Sequence, residues 1–321
     1  MPKVIIHNAV DPAARALLET RENMEIVTIE RDGRERLRRE LGDADAIILR
    51  YLPLDAGDLQ AAPNLKVIAR HGVGYDNVDM VAAGQCGIPV VTIGDANSVT
   101  VAEITLYLML ATAKQSLVHD AAVRGGDWWQ VREAAHSIEL YRKTVLVVGF
   151  GRIGSLVAPR CRAFGMAVNV CDPYVPQSRI SDSGFTPVDD FAAALADADI
   201  VTLHTPLNDE TRHMIDAPAL ARMKKGAILI NTTRRPLAHG PAMNAEFASG
   251  HNHAAGLDVF EEEPPEPANP LLAHTNSIFT PHIGGLSREC FYRSAIVCAQ
   301  NSLDAIDGKL DAAYVVNPEV L

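Results

Sequence analysis

Cysteine is scarce in this 321-residue sequence, and its distribution argues against two kinds of protein. The cysteines number five, an odd count, and no two of them have the Cys-x-x-Cys spacing. Disulfide-stabilised secreted domains and cysteine zinc sites both need paired, suitably spaced cysteines. The pattern therefore predicts free, buried thiols in a reducing compartment. The residues concerned are Cys86, Cys161, Cys171, Cys290 and Cys298.

Long apolar runs and basic blocks are also missing. The most apolar stretch, "ITLYLMLATA" (104–113), is shorter than the roughly 20 residues that cross a bilayer. The formal net charge is −11, and "RDGRERLRRE" (31–40) mixes both signs, so we expect neither membrane nor nucleic-acid binding. The first residues, "MPKVIIHNAV", lack the charged start and long apolar centre of a signal peptide, which favours a cytoplasmic protein.

Short runs rich in Val and Ile alternate with helical patterns along the whole chain. Alternation of this kind predicts an α/β protein with parallel sheets, because two parallel strands need a crossover between them. A length of 321 residues allows two domains. The first series of predicted strands is "KVIIHNAV", "EIVTI", "DAIILR", "KVIAR" and "IPVVTI"; the second is "TVLVVG", "AVNVCD", "DIVTLH", "AILINT", "AAGLDVF" and "SIFTPHI".

Two long helical patterns set the predicted domain limits. The segment 98–123 is apolar on most of its circumference and predicts one long, largely buried helix between the two strand series. The last helix, 287–308, is predicted to return to the first series. We therefore predict a discontinuous first domain, 1–97 with 287–321, and an inserted second domain, 98–286. The proline-rich "EEEPPEPANP" (261–270) predicts a loop.

A dinucleotide-binding motif opens the second series. Gly149-x-Gly151-x-x-Gly154 directly follows a predicted strand and directly begins a predicted helix, and the next strand ends at Asp172. The glycines permit a tight turn, close approach of a pyrophosphate and close helix–strand packing, and the helix N-terminus attracts phosphates. Asp172 suits the ribose hydroxyls and repels a 2′-phosphate. The motif predicts binding of NAD rather than NADP.

Polar residues follow three later strands of the same series. Arg234 comes just past "AILINTT", Asp258 is predicted within "AAGLDVF" with Glu263 just past it, and His282 follows "SIFTP". Ligands bind at the carboxyl ends of parallel strands. Arg234 suits a carboxylate, His282 suits proton transfer to a carbonyl oxygen, and Glu263 suits orientation of the imidazole. The set predicts hydride transfer between a 2-oxo acid and a 2-hydroxy acid.

The chain resembles the D-2-hydroxyacid dehydrogenase family, the D-isomer-specific group that includes phosphoglycerate dehydrogenases and hydroxypyruvate and glyoxylate reductases. The resemblance runs nearly from end to end and implies a flavodoxin-like substrate domain beside the Rossmann-like, doubly wound NAD domain. It also implies a homodimer joined through the coenzyme domain. The motifs that carry it are "HGVGYDNVD" (71–79), "GDANSVTVAE" (94–103), "VVGFGRIG" (147–154), "HTPLNDETRHMI" (204–215), "LDVFEEEPP" (257–265) and "TPHIGG" (280–285).

The resemblance also assigns roles to individual residues. Arg234, Glu263 and His282 would be catalytic, and the substrate would also meet the "GVG" loop and two arginines at strand ends. The implied substrate-binding residues are Arg50, Arg70, Val73, Gly74 and Arg234. The implied cofactor-binding residues are Gly149, Gly151, Arg152, Ile153, Gly154, Asp172, His204, Thr205, Pro206, Thr232, Thr233, Asp258, His282 and Gly284.

One segment departs from the family pattern. After the catalytic Arg the family usually has Gly and then a Val-Asp pair, whereas this chain has "RRPLAHG" (234–240). Arg235 is expected to face solvent; the alternative is that it adds positive charge to the pocket. His251 and His253 form a His-x-His pair without a third ligand, so they are expected to be surface residues and no metal site is expected.

Two other functions remain open from the sequence. One is an NAD-sensing binding protein of the same fold, similar to the C-terminal-binding corepressors, because a fold does not fix an activity. The other is a formate dehydrogenase, which the resemblance disfavours because that group pairs its histidine with Gln where this chain has Glu263. Turnover of 2-oxo acids with NADH distinguishes both from a hydroxyacid dehydrogenase. The identity of the 2-hydroxy acid stays open.

Overall fold

The protein is described by a computed structural model that covers residues 1–134, 137–249 and 254–321. His251 and His253 lie outside the described residues. Within those ranges, no group of three or more His, Cys, Asp or Glu side chains is arranged to hold a metal ion. The chain divides into two compact units, Met1–Asn97 with Gly285–Leu321 (unit 1) and Ser98–Gly284 (unit 2).

Unit 1 contains a five-stranded parallel sheet in the order β2-β1-β3-β4-β5, which is the flavodoxin-like order. The strands are β1 (Lys3–His7), β2 (Glu25–Ile29), β3 (Ala46–Leu49), β4 (Val67–Arg70) and β5 (Val90–Val91). The helices between them are α1 (Pro12–Leu18), α2 (Arg34–Leu41), α3 (Ala56–Gln60) and α4 (Met80–Gln85). Every strand predicted in the first series is present, and the flavodoxin-like expectation is confirmed.

The sheet of unit 1 is buried on both faces, as the Ile- and Val-rich strands require. Ile5, Ile47 and Ile68 are fully buried on one face, where α2 to α4 pack. The other face is covered by α1 and by the last helix, α13 (Arg288–Ile306), which contacts α1, β3 and β4. The prediction that the last helix returns to the first series is therefore correct.

Unit 2 contains a seven-stranded parallel sheet in the order β12-β11-β10-β9-β6-β7-β8. If β6 is taken as the first strand, the order from β8 to β11 is the Rossmann order, and β12 is one additional strand at the edge. The strands are β6 (Thr144–Val148), β7 (Ala167–Cys171), β8 (Thr186–Pro187), β9 (Ile200–Leu203), β10 (Ile228–Asn231), β11 (Ala254–Leu257) and β12 (Ile278–Phe279). The edge strand β8, two residues long, is absent from the strands predicted by the sequence.

Helices cover both faces of this second sheet. They are α5 (Ser98–Ala113), α6 (Ser116–Gly125), α7 (Trp128–Glu133), α8 (Gly154–Ala163), α9 (Gln177–Asp182), α10 (Phe191–Asp197), α11 (Ala217–Arg222) and α12 (Gly240–Ala248). Helix α5 contacts β10 and β11 so closely that a Cβ atom on Gly256 would lie 2.8 Å from Leu108. No helix in the described ranges is long and apolar enough to cross a membrane.

The single long helix predicted over 98–123 is wrong. Helix α5 ends at Ala113 and α6 begins at Ser116, because Gln115 has a left-handed backbone conformation with φ of 48°. A residue in that conformation cannot continue a right-handed helix. The break coincides with the loss of burial, since α5 is buried around most of its surface whereas Ala122 is the only buried residue assigned to α6.

Candidate active site

The polar residues singled out in the second series lie at one edge of the unit 2 sheet. Strands β10, β11 and β12 are neighbours and parallel, and β6, which precedes the glycine loop, lies beyond β9 in the same sheet. Their carboxyl ends therefore point to the same side. Arg234, Glu263 and His282 all come shortly after these ends.

The glycine loop is shaped by its lack of side chains. Gly149 has φ of +95°, and a Cβ atom there would lie 2.7 Å from the backbone of His204. A Cβ atom on Gly154 would lie 2.0 Å from the carbonyl oxygen of Gly149, so helix α8 begins in direct contact with the turn. Open space surrounds the corresponding position of Gly151. The loop leaves that space where the motif requires a pyrophosphate, and Arg152 and Ile153 lie directly before α8.

Asp172 lies directly past β7 and is hydrogen-bonded to the glycine loop. Its Oδ2 accepts a hydrogen bond from the Phe150 N–H at 2.7 Å, and its Oδ1 accepts one from the Tyr174 N–H at 2.9 Å. A carboxylate has about four acceptor positions, so it retains capacity for ribose hydroxyls. The glycine cradle and the anchored carboxylate fit the adenosine diphosphate half of NAD.

The ring of His204, which the resemblance implies as a cofactor-binding residue, is buried. It follows β9 directly, its side-chain Nε2 lies 2.9 Å from the Thr202 hydroxyl, and the residue is 9% exposed. Burial lowers the pKa of His204 to about 3, so the ring is neutral. Thr205 and Pro206 follow His204. The Thr205 hydroxyl contacts Met214, and the Pro206 carbonyl accepts a hydrogen bond from Thr211. His204 thus contributes its backbone, packed against Gly149.

Two histidines that burial keeps neutral should make the folded protein less stable in mild acid. Burial, together with the charges of Arg50 and Arg70, lowers the pKa of His71 to about 4, and burial lowers that of His204 to about 3. Unfolded histidines titrate near 6.5, so the unfolded chain binds more protons below that pH. The contribution of these histidines to the unfolding free energy should be fully present above pH 6.5. Below pH 6.5 the unfolding free energy should fall by up to about 1.4 kcal/mol per pH unit for each histidine.

Urea unfolding measured from pH 7.5 to pH 5 tests this expectation. The variants His71→Asn and His204→Asn should each show a shallower decline of the unfolding free energy with falling pH than the unmodified chain. A decline of the same steepness in both variants would assign the acid sensitivity to other groups.

The imidazole of His282 and the carboxylate of Glu263 form a direct pair. The His282 Nδ1 lies 2.7 Å from Glu263 Oε2, and the other Glu263 oxygen accepts a hydrogen bond from the Phe260 N–H at 3.0 Å. His282 itself has φ of 53°, and its side chain is 51% exposed. The carboxylate holds one ring nitrogen, which leaves Nε2 as the nitrogen that can exchange a proton with a substrate.

Glu263 is held in its charged form. Burial alone raises its pKa, but the hydrogen bonds from His282 and Phe260 and the charges of His282 and Arg234 outweigh burial and bring the pKa below its usual value. The guanidinium of Arg234 therefore acts on the same carboxylate that orients His282. The three residues predicted to be catalytic lie within electrostatic reach of one another.

A buried asparagine shapes the turn that carries Arg234. Asn231 ends β10 with no exposed surface; its Oδ1 accepts hydrogen bonds from the N–H and the hydroxyl of Thr233, and its Nδ2 donates to the Arg234 carbonyl. The Arg234 Nη1 donates to the Thr233 carbonyl at 2.8 Å. The Thr232 hydroxyl lies 3.0 Å from that of Thr105 on α5. Sequence reasoning missed Asn231, although its position at a strand end before "TTR" was a usable signal.

Asp258 anchors the loop that carries His282. It lies one residue past β11 rather than within a strand, and it has no exposed surface. Its carboxylate accepts hydrogen bonds from the Thr280 hydroxyl at 2.6 Å and from the N–H groups of Ile283 and Gly284 at 2.8 and 2.7 Å. Burial raises the pKa of Asp258, and these hydrogen bonds oppose the rise. Residues 280–284 are therefore wrapped around one buried carboxylate.

Unit 1 has its own polar cluster at the carboxyl ends of β1, β3 and β4. Arg50 is 8% exposed, donates to the Ala9 carbonyl and the Tyr51 hydroxyl, and lies against the rings of Tyr51 and Phe291. Burial lowers the pKa of Arg50, and no carboxylate among the described residues pairs with it. His7 is buried and His71 is half-buried near it, and burial lowers the pKa of both.

The second predicted arginine of unit 1 is held in place by an amide. Arg70 Nε donates to Asn77 Oδ1 at 2.9 Å, while the Asn77 amide donates to the carbonyls of Arg50 and Leu52. The "GVG" loop follows directly, with the Gly72 N–H bonded to the Arg70 carbonyl. The partly buried Val73 packs on the core of unit 1. Gly74 continues this loop.

Arg235 does not face solvent, which corrects the expectation for the "RRPLAHG" segment. It begins a short 3-10 helix, Arg235–Leu237, and its side chain is only 4% exposed. Its Nη2 lies 3.1 Å from Glu261 Oε2, and Glu261 neutralises its charge. The alternative, a free positive charge added to the pocket, does not fit this pairing either.

Comparison with known proteins places these features in a family. A sequence model described as "D-isomer specific 2-hydroxyacid dehydrogenase, NAD binding domain" matches residues 106–284. The chain is 39% identical over 320 residues to a D-3-phosphoglycerate dehydrogenase of Methanocaldococcus jannaschii, covering 99% of this chain and 60% of that one. It thus spans about 60% of the length of that relative.

Other relatives match over nearly their whole length. A hydroxypyruvate reductase of Thermotoga maritima is 36% identical over 299 residues, which are 92% of this chain and 95% of that one. The solved structure of an NAD-dependent formate dehydrogenase from Staphylococcus aureus in complex with NAD is 27% identical, with a TM-score of 0.86 and 98% of each chain covered. Together with the NAD binding domain over 106–284, these matches show that the chain belongs to the D-isomer specific 2-hydroxyacid dehydrogenase family.

Proposed function

We propose that this protein interconverts a 2-oxo acid and a D-2-hydroxy acid with NAD as the hydride carrier. The observation that carries the proposal is the pair formed by His282 and Glu263 at 2.7 Å, with the charge of Arg234 acting on the same carboxylate. A proton donor, its orienting anion and a carboxylate-binding cation are the groups that reduction of a 2-oxo acid requires.

Each of the three residues has one task in this mechanism. Arg234 binds the substrate carboxylate through its planar fork and brings the 2-oxo group to His282. His282 Nε2 donates a proton to the carbonyl oxygen during reduction and accepts it from the hydroxyl during oxidation. Glu263 holds Nδ1 and stabilises the protonated ring between these steps. When NAD is bound, it supplies or accepts the hydride at C2, which balances the two-electron change.

Substrates with a second anionic group fit the basic cluster of unit 1. Arg50 is a buried cation without a carboxylate partner among the described residues. A buried charge is expensive unless an opposite charge compensates it. We propose that Arg50, Arg70 and the "GVG" N–H groups near Val73 and Gly74 bind anionic groups of the substrate. This favours a phosphoglycerate dehydrogenase-like substrate over glyoxylate.

A substrate panel tests the proposed function. NADH oxidation is followed with phosphohydroxypyruvate, hydroxypyruvate, glyoxylate and pyruvate, and NAD reduction is followed with formate. We expect turnover of 2-oxo acids and a higher kcat/KM for the doubly anionic one. Turnover of formate alone would contradict the proposed function and indicate a formate dehydrogenase. NADH binding with no turnover of any substrate would favour an NAD-sensing binding protein.

The preference for NAD over NADP should depend on Asp172. Its carboxylate is fixed by the N–H groups of Phe150 and Tyr174, so it cannot turn away from a 2′-phosphate without losing both hydrogen bonds. NADH should bind at least tenfold more tightly than NADPH, and Asp172→Ala should reduce this ratio. The measurement is fluorescence titration with each nucleotide, with Asp182→Ala as the control variant. Equal affinities in the unmodified protein would remove this role from Asp172.

We also propose that the protein is a homodimer joined through α6 and α7. These short helices expose large apolar side chains, including Trp129 at 68%, Val123 at 58%, Leu117 at 57% and Trp128 at 51%. Exposed apolar clusters of this kind are typical of subunit contacts. Light scattering should give twice the chain mass for the unmodified protein and one chain mass for Trp128→Glu. All five cysteines are unpaired, which suits the reducing cytoplasm; Cys86 is exposed, which corrects the expectation that all five thiols are buried.

A further inference from the structure

The loops that carry Arg234 and Glu263 are joined by an ion pair that the proposed mechanism does not use. These loops follow β10 and β11, which are adjacent parallel strands paired through Asn231 and Leu257. Beyond the strand ends, Arg235 of the first loop contacts Glu261 of the second at 3.1 Å. Each partner lies one or two residues from a residue with a proposed catalytic role.

A glycine makes room for this pair. A Cβ atom on Gly240, at the start of α12, would lie 1.8 Å from Arg235 Nη2 and 3.0 Å from its Cζ. The guanidinium therefore occupies the space that any side chain at position 240 would fill. The position of the Arg235 guanidinium therefore depends on the absence of a side chain at Gly240.

The energetics of the pair favour a positional role over a stabilising one. Arg235 is 4% exposed whereas Glu261 is 49% exposed, and the Arg235 Nε is buried with no hydrogen-bond partner in the described part of the chain. Burial lowers the pKa of Arg235, and Glu261 opposes that change. An ion pair between a buried, incompletely satisfied cation and a half-exposed anion contributes little net stability, although removing the anion is unfavourable. What the pair does provide is a fixed connection between two loops.

We propose that Arg235 and Glu261 form a clamp that sets the position of Arg234 relative to the Glu263–His282 pair. The clamp rests on the proposed function, because it acts through the residues that bind the substrate carboxylate and move the proton. Arg235 and Glu261 are positioning residues and touch no reacting atom. The backbone bond from the Asp258 N–H to the Asn231 carbonyl joins the strand ends, and the clamp joins the loops beyond them.

The variant Gly240→Ala tests the clamp without altering a charge. Its Cβ displaces the guanidinium, while the backbone tolerates alanine because φ of Gly240 is not in the left-handed region. We expect kcat to fall about 10–100-fold, the size of effect produced by misplacement of about 1 Å. KM for the 2-oxo acid and the Kd for NADH should stay within about threefold, because binding groups are retained.

A double-mutant cycle separates the clamp from a general packing effect. Arg235→Met should lower kcat as Gly240→Ala does, and the double variant should be no worse than Arg235→Met, because no guanidinium remains to be displaced. Arg235→Lys, which keeps the charge, should recover part of kcat. Glu262→Gln and Gly84→Ala are the controls, since Glu262 is exposed and nothing lies closer than 3.7 Å to a Cβ atom on Gly84.

The outcomes distinguish the clamp from the function on which it rests. If the unmodified protein turns over no 2-oxo acid, the proposed function fails and the clamp fails with it. If the unmodified protein is active and Gly240→Ala keeps kcat within twofold, only the clamp is overturned. It is equally overturned if Gly240→Ala and Arg235→Met lower kcat additively, or if they lower the melting temperature and leave the kcat of the folded protein unchanged.

Discussion

Replacing His282 with alanine should lower kcat by about 10²–10⁴-fold, the usual contribution of a general acid–base. The Nδ1 of His282 is held by Glu263 at 2.7 Å, so Nε2 is the nitrogen available for the substrate. In the variant, water must supply the proton to the carbonyl oxygen. The Kd for NADH should change little, because the glycine loop and Asp172 lie on the other side of β9 in the sheet.

Steady-state kinetics with the best 2-oxo acid and NADH titration measure the two quantities separately. His274→Ala is a suitable control, because His274 belongs to the same unit and bonds Asn244 at 3.0 Å, away from Glu263. Glu263→Gln should produce a smaller fall in kcat than His282→Ala, since the amide can still bond Nδ1 but cannot stabilise a charged ring. A His282→Ala variant with near-normal kcat would make His282 a loop residue without a part in catalysis.

The fold was largely predictable because parallel sheets leave strong local signals. Buried strands such as "TVLVVG" and "AILINT" are continuous apolar runs, and the helices between them fix parallel pairing. The ordering of the strands also brings Arg234, Glu263 and His282 to one sheet edge. That inference needed only the order of elements along the chain and the rule that ligands bind at carboxyl ends.

The features that escaped prediction depend on contacts between distant residues. The burial of Arg235 requires Gly240 to leave a space and Glu261 to supply an anion, and no local pattern around Arg235 reveals either. The turn at Gln115 was hidden because its neighbours are good helix formers, so composition alone predicted a continuous helix. The edge strand β8, only two residues long, carries too few residues to show a pattern.

Roles of buried polar residues were the hardest to read. Asp258 looks like a ligand-binding acid in sequence, yet both of its oxygens bond the loop around His282. The resemblance gives His204 as a cofactor-binding residue, and its ring is buried against Thr202. A polar residue at a strand end is drawn either to a ligand or to the backbone of its own loop, and only the three-dimensional arrangement distinguishes the two.

Replacing Arg234 with lysine should lower kcat/KM by about 10–100-fold for every 2-oxo acid. The ammonium keeps the charge but makes one directed hydrogen bond where the guanidinium fork makes two, and one charged hydrogen bond contributes about 1.5–3 kcal/mol. The loss should be similar for pyruvate and for doubly anionic substrates, because the carboxylate that Arg234 is proposed to bind is common to all of them. The Arg235–Glu261 pair stays intact in this variant, so the loop itself should not move.

Kinetics of Arg234→Lys and Arg235→Lys across the same substrates compare the two neighbours directly. Arg222→Lys, on the exposed surface of α11, serves as the control for the substitution itself. Arg234→Lys should change kcat/KM through both kcat and KM, because the carboxylate contact exists in the ground state and in the transition state. Arg235→Lys should act on kcat alone, because it shifts the loop without removing a binding group. If Arg235→Lys raises KM for all substrates while Arg234→Lys leaves it unchanged, the carboxylate binds Arg235, and the assignment of Arg234 is wrong.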